Sequence, residues 1–95
     1  MNYLVIGRDS KDAAERRQAQ RQAHLDGVEK MKAEGKVLYA LAMLDQGKMV
    51  GSVMVFDFNS PEELEAWKSS EPYITGKVWE DVEITECAIP PAFQS

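Results

Sequence analysis

The chain has 95 residues, 44% of them hydrophobic, so it is expected to form a single domain spanning residues 1–95 with a modest core. Its net charge of -5 argues against nucleic-acid binding, which requires a basic surplus. No apolar run approaches the roughly 20 residues of a membrane-spanning helix. The lone Cys87 has no partner for an internal disulfide, which predicts a reducing compartment and hence a cytoplasmic protein.

The first two predicted elements are a strand and a long helix. Residues 3–7 are rich in β-branched and aromatic side chains, which favours a strand. Residues 11–35 lack proline and are dense in helix formers, with Asp9 or Ser10 as the N-cap and a glycine as the stop signal. Gly27 inside this helix costs about 1 kcal/mol relative to alanine, and it predicts a kink or a close contact with the sheet.

The second half of the chain predicts a hairpin, a helix and a final strand. Residues 36–45 and 48–58 are apolar segments around Gln46-Gly47, the pattern of a tight antiparallel hairpin. Ser60 is the predicted cap of a helix that reaches about Ser69, with proline at its first position and glutamate three residues after the cap. Gly76 is expected to turn the chain into a strand at residues 77–85.

The order βαββαβ in so short a chain predicts an α+β, ferredoxin-like fold. Right-handed crossovers place both helices on one face of a four-stranded antiparallel sheet. The opposite face then has no cover from within the chain.

Neither face of the sheet has the polar pattern of a solvent-facing surface. The two predicted faces of the second strand are Val37, Tyr39, Leu41 and Met43, and Leu38, Ala40, Ala42 and Leu44. Those of the third strand are Val50, Met54, Phe56 and Phe58, and Met49, Val53 and Val55. Because an apolar face left open requires a second cover, and a symmetric copy provides one, the sequence predicts a homodimer packed sheet to sheet.

One stripe of the long helix carries the only histidine of the chain. His24, Val28 and Met31 follow the spacing i, i+4, i+7, and Arg17 and Arg21 extend the stripe toward the N-terminus. This gradient from apolar to basic predicts a cavity with a polar rim between helix and sheet. The alternative is that the arginines pair with nearby acids and the histidine is a hydrogen-bonded core residue.

Several short segments, in this order and spacing, resemble the YciI-like (YCII-related domain) family over nearly the whole chain. They are Arg21-Gln22-Ala23-His24-Leu25, Glu34-Gly35-Lys36, Gly51-Ser52-Val53, Ser60-Pro61-Glu62-Glu63-Leu64 with Trp67, and Glu71-Pro72-Tyr73 before Gly76-Lys77-Val78. The resemblance implies a dimeric α+β barrel. It also implies an active site that pairs a histidine with an acid, at positions that fall on His24 and Glu71.

The acid position departs from the family, which usually has aspartate where this chain has Glu71. One extra methylene moves a carboxylate by about 1.5 Å, and catalytic geometry is sensitive to such shifts. In the implied site, Glu71 hydrogen-bonds one ring nitrogen of His24, fixes its tautomer and raises its basicity, so that the other nitrogen accepts a proton from substrate.

Given such a pair, side chains of suitable chemistry are expected to bind the substrate. Arg17 or Arg21 is expected to hold an anionic or phenolate oxygen. Tyr39 or Tyr73 is expected to donate a hydrogen bond or to stack on a ring.

The implied function is proton-transfer chemistry, lyase-like or dehalogenating, on a small ring-containing molecule without an organic cofactor. One alternative is a non-catalytic module that binds a small ligand or serves in assembly, and the acid substitution favours it. Another is a cofactor-independent monooxygenase, by fold analogy alone. One histidine and one glutamate fall below the three protein ligands of a catalytic zinc site, and no glycine-rich phosphate loop opens a helix, so neither a metal nor a nucleotide cofactor is expected.

Overall fold

The computed structural model describes residues 1–94 as four strands and three helices. The strands pair antiparallel in the order β2-β3-β1-β4. The elements are β1 (Asn2–Asp9), α1 (Ala14–Ala33), β2 (Val37–Asp45), β3 (Lys48–Asp57), α2 (Pro61–Ser70), α3 (Pro72–Thr75) and β4 (Trp79–Cys87), followed by a single 3₁₀ turn at Pro91–Phe93. The predicted βαββαβ order and four-stranded antiparallel sheet are confirmed, and α3 is an addition.

The sheet presents two apolar faces, of which the helices cover one. Facing residues across the three neighbouring strands form rows, because pairing partners point to the same side. The rows of the covered face are Tyr3-Phe56-Val37, Val5-Met54-Ala40 and Gly7-Ser52-Ala42. Those of the opposite face, hereafter the open face, are Leu4-Val55-Tyr39 and Ile6-Val53-Leu41.

Irregularities in strand pairing changed two of the predicted side-chain directions. A register shift lies between Val37 and Tyr39, so Val37 joins the covered face instead of sharing a side with Tyr39. A second shift between Met43 and Leu44 turns Met49 toward α1, where its sulfur lies 3.6 Å from Arg17 Nη1. Strict alternation fails at both places because each bulge adds an unpaired residue.

Helix α1 ends as predicted but begins later than predicted. Gly35 has φ +76°, and the N–H groups of Gly35 and Lys36 donate to the carbonyls of Lys32 and Met31, which is a Schellman motif. The predicted N-cap was wrong: Ala13 occupies that position without a side-chain hydrogen bond. The carboxylate of Asp9 is instead bonded to Arg17, so it is not free to cap the helix.

The turns show where positive backbone angles are needed. Gln46 and Gly47 have φ of 49° and 80°, which matches a type I′ hairpin turn. The turn before β4 includes Gly76, as predicted, and the positive φ in it belongs to Lys77. Gly76 is required for a different reason, since an added Cβ would lie 2.6 Å from the carbonyl oxygen of Pro72.

Helix α2 has the predicted cap: the Ser60 side chain accepts from the backbone N–H of Glu63.

Gly27 of α1 was predicted to mark a kink or close contact, yet no atom lies within 4 Å of a Cβ built there. Within residues 1–94, no helix is long and apolar enough to cross a membrane.

Candidate active site

The imidazole of His24 and the carboxylate of Glu71 meet beneath α1, although they are 47 positions apart in sequence. His24 Nδ1 lies 2.6 Å from Glu71 Oε1, and both side chains are more than nine-tenths buried. Glu71 follows α2 and is the N-cap of α3, so its Oε1 also accepts the backbone N–H of Tyr73 at 3.0 Å. The short helix, which the sequence analysis missed, therefore fixes the carboxylate. We call this pair the dyad.

The contact assigns the two nitrogens of His24 different roles. A carboxylate only accepts hydrogen bonds, so Nδ1 is the donor and the neutral ring carries its lone pair on Nε2. Nε2 has no hydrogen-bond partner within residues 1–94, and it is not among the fully enclosed atoms. It therefore remains available to a molecule that enters from the side of the ring away from Glu71.

A cavity of about 160 Å³, hereafter the dyad cavity, lies against His24 between α1 and the covered face. Its lining residues are Arg17, Arg21, His24, Leu25, Val28, Ala40, Leu41, Ala42, Met49, Ser52, Met54 and Tyr73. Most of these side chains are apolar, and the polar ones are Arg17, Arg21, His24, Ser52 and Tyr73. Glu71 is not among them, so the carboxylate lies on the side of the imidazole away from the cavity.

Tyr73 is the aromatic neighbour of the dyad. Its ring stacks on His24 with centroids 4.0 Å apart and planes inclined by 11°. Burial raises the pKa of Tyr73 above its usual value, and the positive charges of Arg17 and Arg21 offset this only in part. The phenol therefore stays protonated at neutral pH, where its O–H serves as a hydrogen-bond donor.

The guanidinium of Arg17 already forms hydrogen bonds to other residues of the chain. Its Nε donates to Asp9 Oδ2 at 2.7 Å, and its Nη2 donates to Asp9 Oδ1, to the Gly51 carbonyl and to Ser52 Oγ. The guanidinium carbon also lies 4.8 Å from the centre of the Tyr73 ring. These bonds tie α1 to β1 and β3, so Arg17 positions the wall of the cavity.

Arg21 differs from Arg17, one turn away, because it has no ion-pair partner among residues 1–94. It is exposed and lines the mouth of the dyad cavity. Of the two arginines singled out from the sequence, Arg21 is therefore the one with free hydrogen-bond donors for a ligand.

Tyr39 does not share the site, contrary to expectation. It pairs with Val55 on the open face, where it is 67% exposed, and it lines a different cavity with Leu38 and Phe93. The register shift after Val37 turns it to that side.

Two residues of the site were missed by the sequence analysis, Asp9 and Ser52, which hold Arg17. The position of Asp9 before a helix suggested a cap, and no local pattern distinguishes a cap from an ion pair formed across a turn. Ser52 lies in an apolar strand, where a hydroxyl pointing to the covered face is the only signal. Among residues 1–94, no three His, Cys, Asp or Glu side chains converge in a way that could hold a metal ion.

The chain is similar to known proteins over most of its length. The model of the YCII-related domain matches residues 1–88. The chain belongs to the YCII-related domain family. Protein YciI of Escherichia coli O6:H1 is 32% identical over 91 residues, which cover 88% of this chain and 93% of that relative.

Solved structures extend the YCII-related fold to more distant proteins. 5-chloro-2-hydroxyhydroquinone dehydrochlorinase (TftG) from Burkholderia phenoliruptrix AC1100, in complex with 2,5-dihydroxybenzoquinone, matches with a TM-score of 0.84 at 18% identity, covering 97% of this chain and 98% of that one. An antibiotic biosynthesis monooxygenase matches with a TM-score of 0.55 at 16% identity, covering 94% and 98%. At such identities the likeness is one of fold.

Proposed function

We propose that this YCII-related protein is an acid/base enzyme for a small ring-containing molecule, with His24 as the base and no organic cofactor. The observation that carries the proposal is the 2.6 Å contact between His24 Nδ1 and Glu71 Oε1, which leaves Nε2 free on the cavity side. A histidine oriented by a carboxylate is the usual unit of general acid/base catalysis. The extra methylene of glutamate does not weigh against it, because the N-cap position of Glu71 brings the carboxylate into contact.

The reaction we propose is elimination, by analogy with the dehydrochlorinase that shares the fold. In the keto tautomer of the ring, the carbon that bears chlorine has gained a proton. His24 Nε2 then takes the proton of a remaining ring hydroxyl, the electrons of that O–H bond form a C=O bond, the ring double bond shifts, and chloride leaves with the electrons of its bond to carbon. The substrate loses the elements of HCl, so no oxidant or reductant is needed. The O–H of Tyr73 stabilises the oxygen on which negative charge develops, and Glu71 stabilises the imidazolium.

Chloride release from chlorinated hydroxyhydroquinones tests this proposal. We expect His24→Gln to slow release by about 10²- to 10⁴-fold, the usual contribution of a general base. Gln22→Ala, two residues away on the exposed side of α1, is the matched control and is expected to keep the wild-type rate. A His24→Gln variant as fast as wild type would refute the role of the base. Binding of the ring compound without chloride release would favour a non-catalytic binding module.

A cofactor-independent monooxygenase is the second candidate, and the likeness to an antibiotic biosynthesis monooxygenase supports it. The two reactions differ in one readily measured quantity. Elimination consumes no oxygen, whereas a monooxygenase consumes one O₂ for each substrate molecule. An oxygen electrode with hydroquinone substrates therefore decides between them.

We further propose that two chains pack through their open faces into a dimeric α+β barrel. Tyr39 and Leu41 on this face are 67% and 46% exposed, and Leu38 beside them is 46% exposed. An apolar surface shared by neighbouring strands is typical of an interface. Sedimentation equilibrium should give the mass of two chains, and Leu41→Lys should give the mass of one. Ala66→Lys, on the exposed side of α2, is the control and should leave the dimer intact.

A further inference from the structure

A second, wider cavity of about 860 Å³ adjoins the dyad cavity along the first turns of α1. The two cavities share Arg17, Arg21 and Met49, so a molecule in one can extend into the other. The remaining lining residues are Asp9, Ser10, Lys11, Ala14, Gln18, Lys48 and Val50. They come from the end of β1, from α1 and from the hairpin between β2 and β3. We call this space the basic cavity.

The charge of the basic cavity is opposite to that of the whole protein. Four cationic side chains and one carboxylate line it, in a chain of net charge -5. The carboxylate, Asp9, is bonded to Arg17 and neutralises that charge alone. Lys11, Arg21 and Lys48 have no ion-pair partner among residues 1–94. Three uncompensated cations around one cavity attract an anion.

The side chains that line the two joined cavities change from apolar at the inner end to cationic at the outer end. At the inner end lies Nε2 of His24, unpartnered on a side chain that is nine-tenths buried. The walls there are apolar, provided by Val28, Ala42 and Met54. At the outer end lie the free cations. A complementary ligand is therefore apolar in its middle, with an ionisable proton at one end and a negative charge at the other.

We propose that the basic cavity is a subsite for a carboxylate, so that ring-containing substrates with a carboxylate bind more tightly than those without one. The carboxylate is held by Arg21, with Lys11 and Lys48 beside it, while the ring enters the dyad cavity. Arg21 is the main contact because a guanidinium pairs with a carboxylate through two parallel hydrogen bonds. This substrate preference rests on the proposed acid/base function of His24, although the binding itself does not require turnover.

Benzoate and benzamide are suitable probes, because they have the same shape and only benzoate carries the charge. Their binding to the full-length protein is followed through the ring resonances of His24, the only histidine. We expect benzoate to bind at least about tenfold more tightly than benzamide. Arg21→Gln should remove most of this difference, and Lys48→Gln should weaken benzoate by about threefold.

Lys32→Gln is the matched control, because Lys32 is exposed on the same helix, lacks an ion-pair partner among residues 1–94 and does not line the cavity. It changes the net charge by the same amount as the test variants and should leave benzoate affinity unchanged. Equal affinities for benzoate and benzamide would overturn the subsite. So would an equal loss in Lys32→Gln and Arg21→Gln, or the absence of any benzoate-induced shift at His24.

The result of the benzoate-binding experiment does not depend on whether the protein catalyses chloride release. If His24→Gln leaves chloride release intact, the proposed base is refuted, yet benzoate still distinguishes Arg21→Gln from wild type. If benzoate fails to bind while His24→Gln abolishes release, the base stands and the subsite falls.

Discussion

The two faces of the sheet are built from the same strands and are both apolar, yet one is buried and the other is exposed. On the covered face, Phe56 and Met54 are almost completely buried beneath the helices. On the open face, Tyr39 and Leu41 remain largely exposed. The difference shows that one chain has helices enough to bury one face only, so the second face is available for assembly.

The two faces also differ in the polar groups they tolerate. The open face ends in Glu83 and Thr85 of β4, and both residues are exposed. The covered face contains Ser52 beneath Arg17, and His24 with Glu71 above it, all with partners. Buried polar groups cost free energy unless they are hydrogen-bonded, and each of these buried groups has such a partner.

The largest expected effect compares the faces directly through Phe56→Ala and Leu41→Ala. Phe56 is fully buried and its ring lies 4.6 Å from that of Trp67, so its truncation should cost about 3–5 kcal/mol of unfolding free energy. Leu41→Ala should cost less, and its cost should depend on protein concentration if the open face is an interface. Urea unfolding at two protein concentrations measures both. A concentration-independent loss at Leu41 would contradict the comparison.

The next largest effect on stability concerns two glycines. Gly7 lies on the covered face of the sheet, and Gly27 lies in α1. A Cβ on Gly7 would lie 2.3 Å from Cδ2 of Trp79, so Gly7→Ala should cost about 1–3 kcal/mol by overpacking. Gly27→Ala is the matched control, because nothing lies within 4 Å of its Cβ and it is inside α1. It should stabilise the protein by up to about 1 kcal/mol. Thermal unfolding that ranks the two variants the other way would contradict this packing.

The sequence predicted the elements well where a local rule decides the structure. The hairpin at Gln46-Gly47 and the Ser60 cap follow from turn and capping chemistry within four residues. The face of Val37 did not follow, because a bulge in the pairing with β3 cannot be read from alternation alone.

The site was predicted less completely than the fold. The stripe on α1 pointed to His24 and the resemblance to Glu71, but nothing in the sequence predicted that Glu71 would cap a short helix between α2 and β4. The sequence also did not predict that Arg17 would be ion-paired and Arg21 would not. It depends on Asp9, whose hydrogen bond to Arg17 is a tertiary contact between the end of β1 and α1.

A smaller effect concerns the buried polar groups above the covered face. It is the choice of which ring nitrogen of His24 carries the proton. Oε1 of Glu71 accepts from both His24 Nδ1 and the Tyr73 backbone, so Glu71→Gln can keep both bonds with its carbonyl oxygen. We expect roughly nine-tenths or more of the neutral ring to carry its proton on Nδ1 in wild type and in Glu71→Gln. In Glu71→Ala the Nε2-protonated form should become populated. Long-range ¹⁵N NMR of the single histidine reports this, and an Nε2-protonated wild type would refute the dyad.

The smallest effect is the pH dependence of Tyr73, the aromatic neighbour of the dyad. Burial raises its pKa in the folded state above the usual value of 10.0. The folded state therefore holds this proton more tightly than the unfolded state does, and stability falls as pH rises from about 10 through the folded pKa. Tyr73→Phe has no proton to lose, so its stability should fall less over this range than that of wild type. Tyr39→Phe, on the open face, controls for the loss of a phenol, and urea unfolding at neutral and alkaline pH gives the comparison. Parallel losses in wild type and Tyr73→Phe would show that the covered face does not protect this phenol from ionisation.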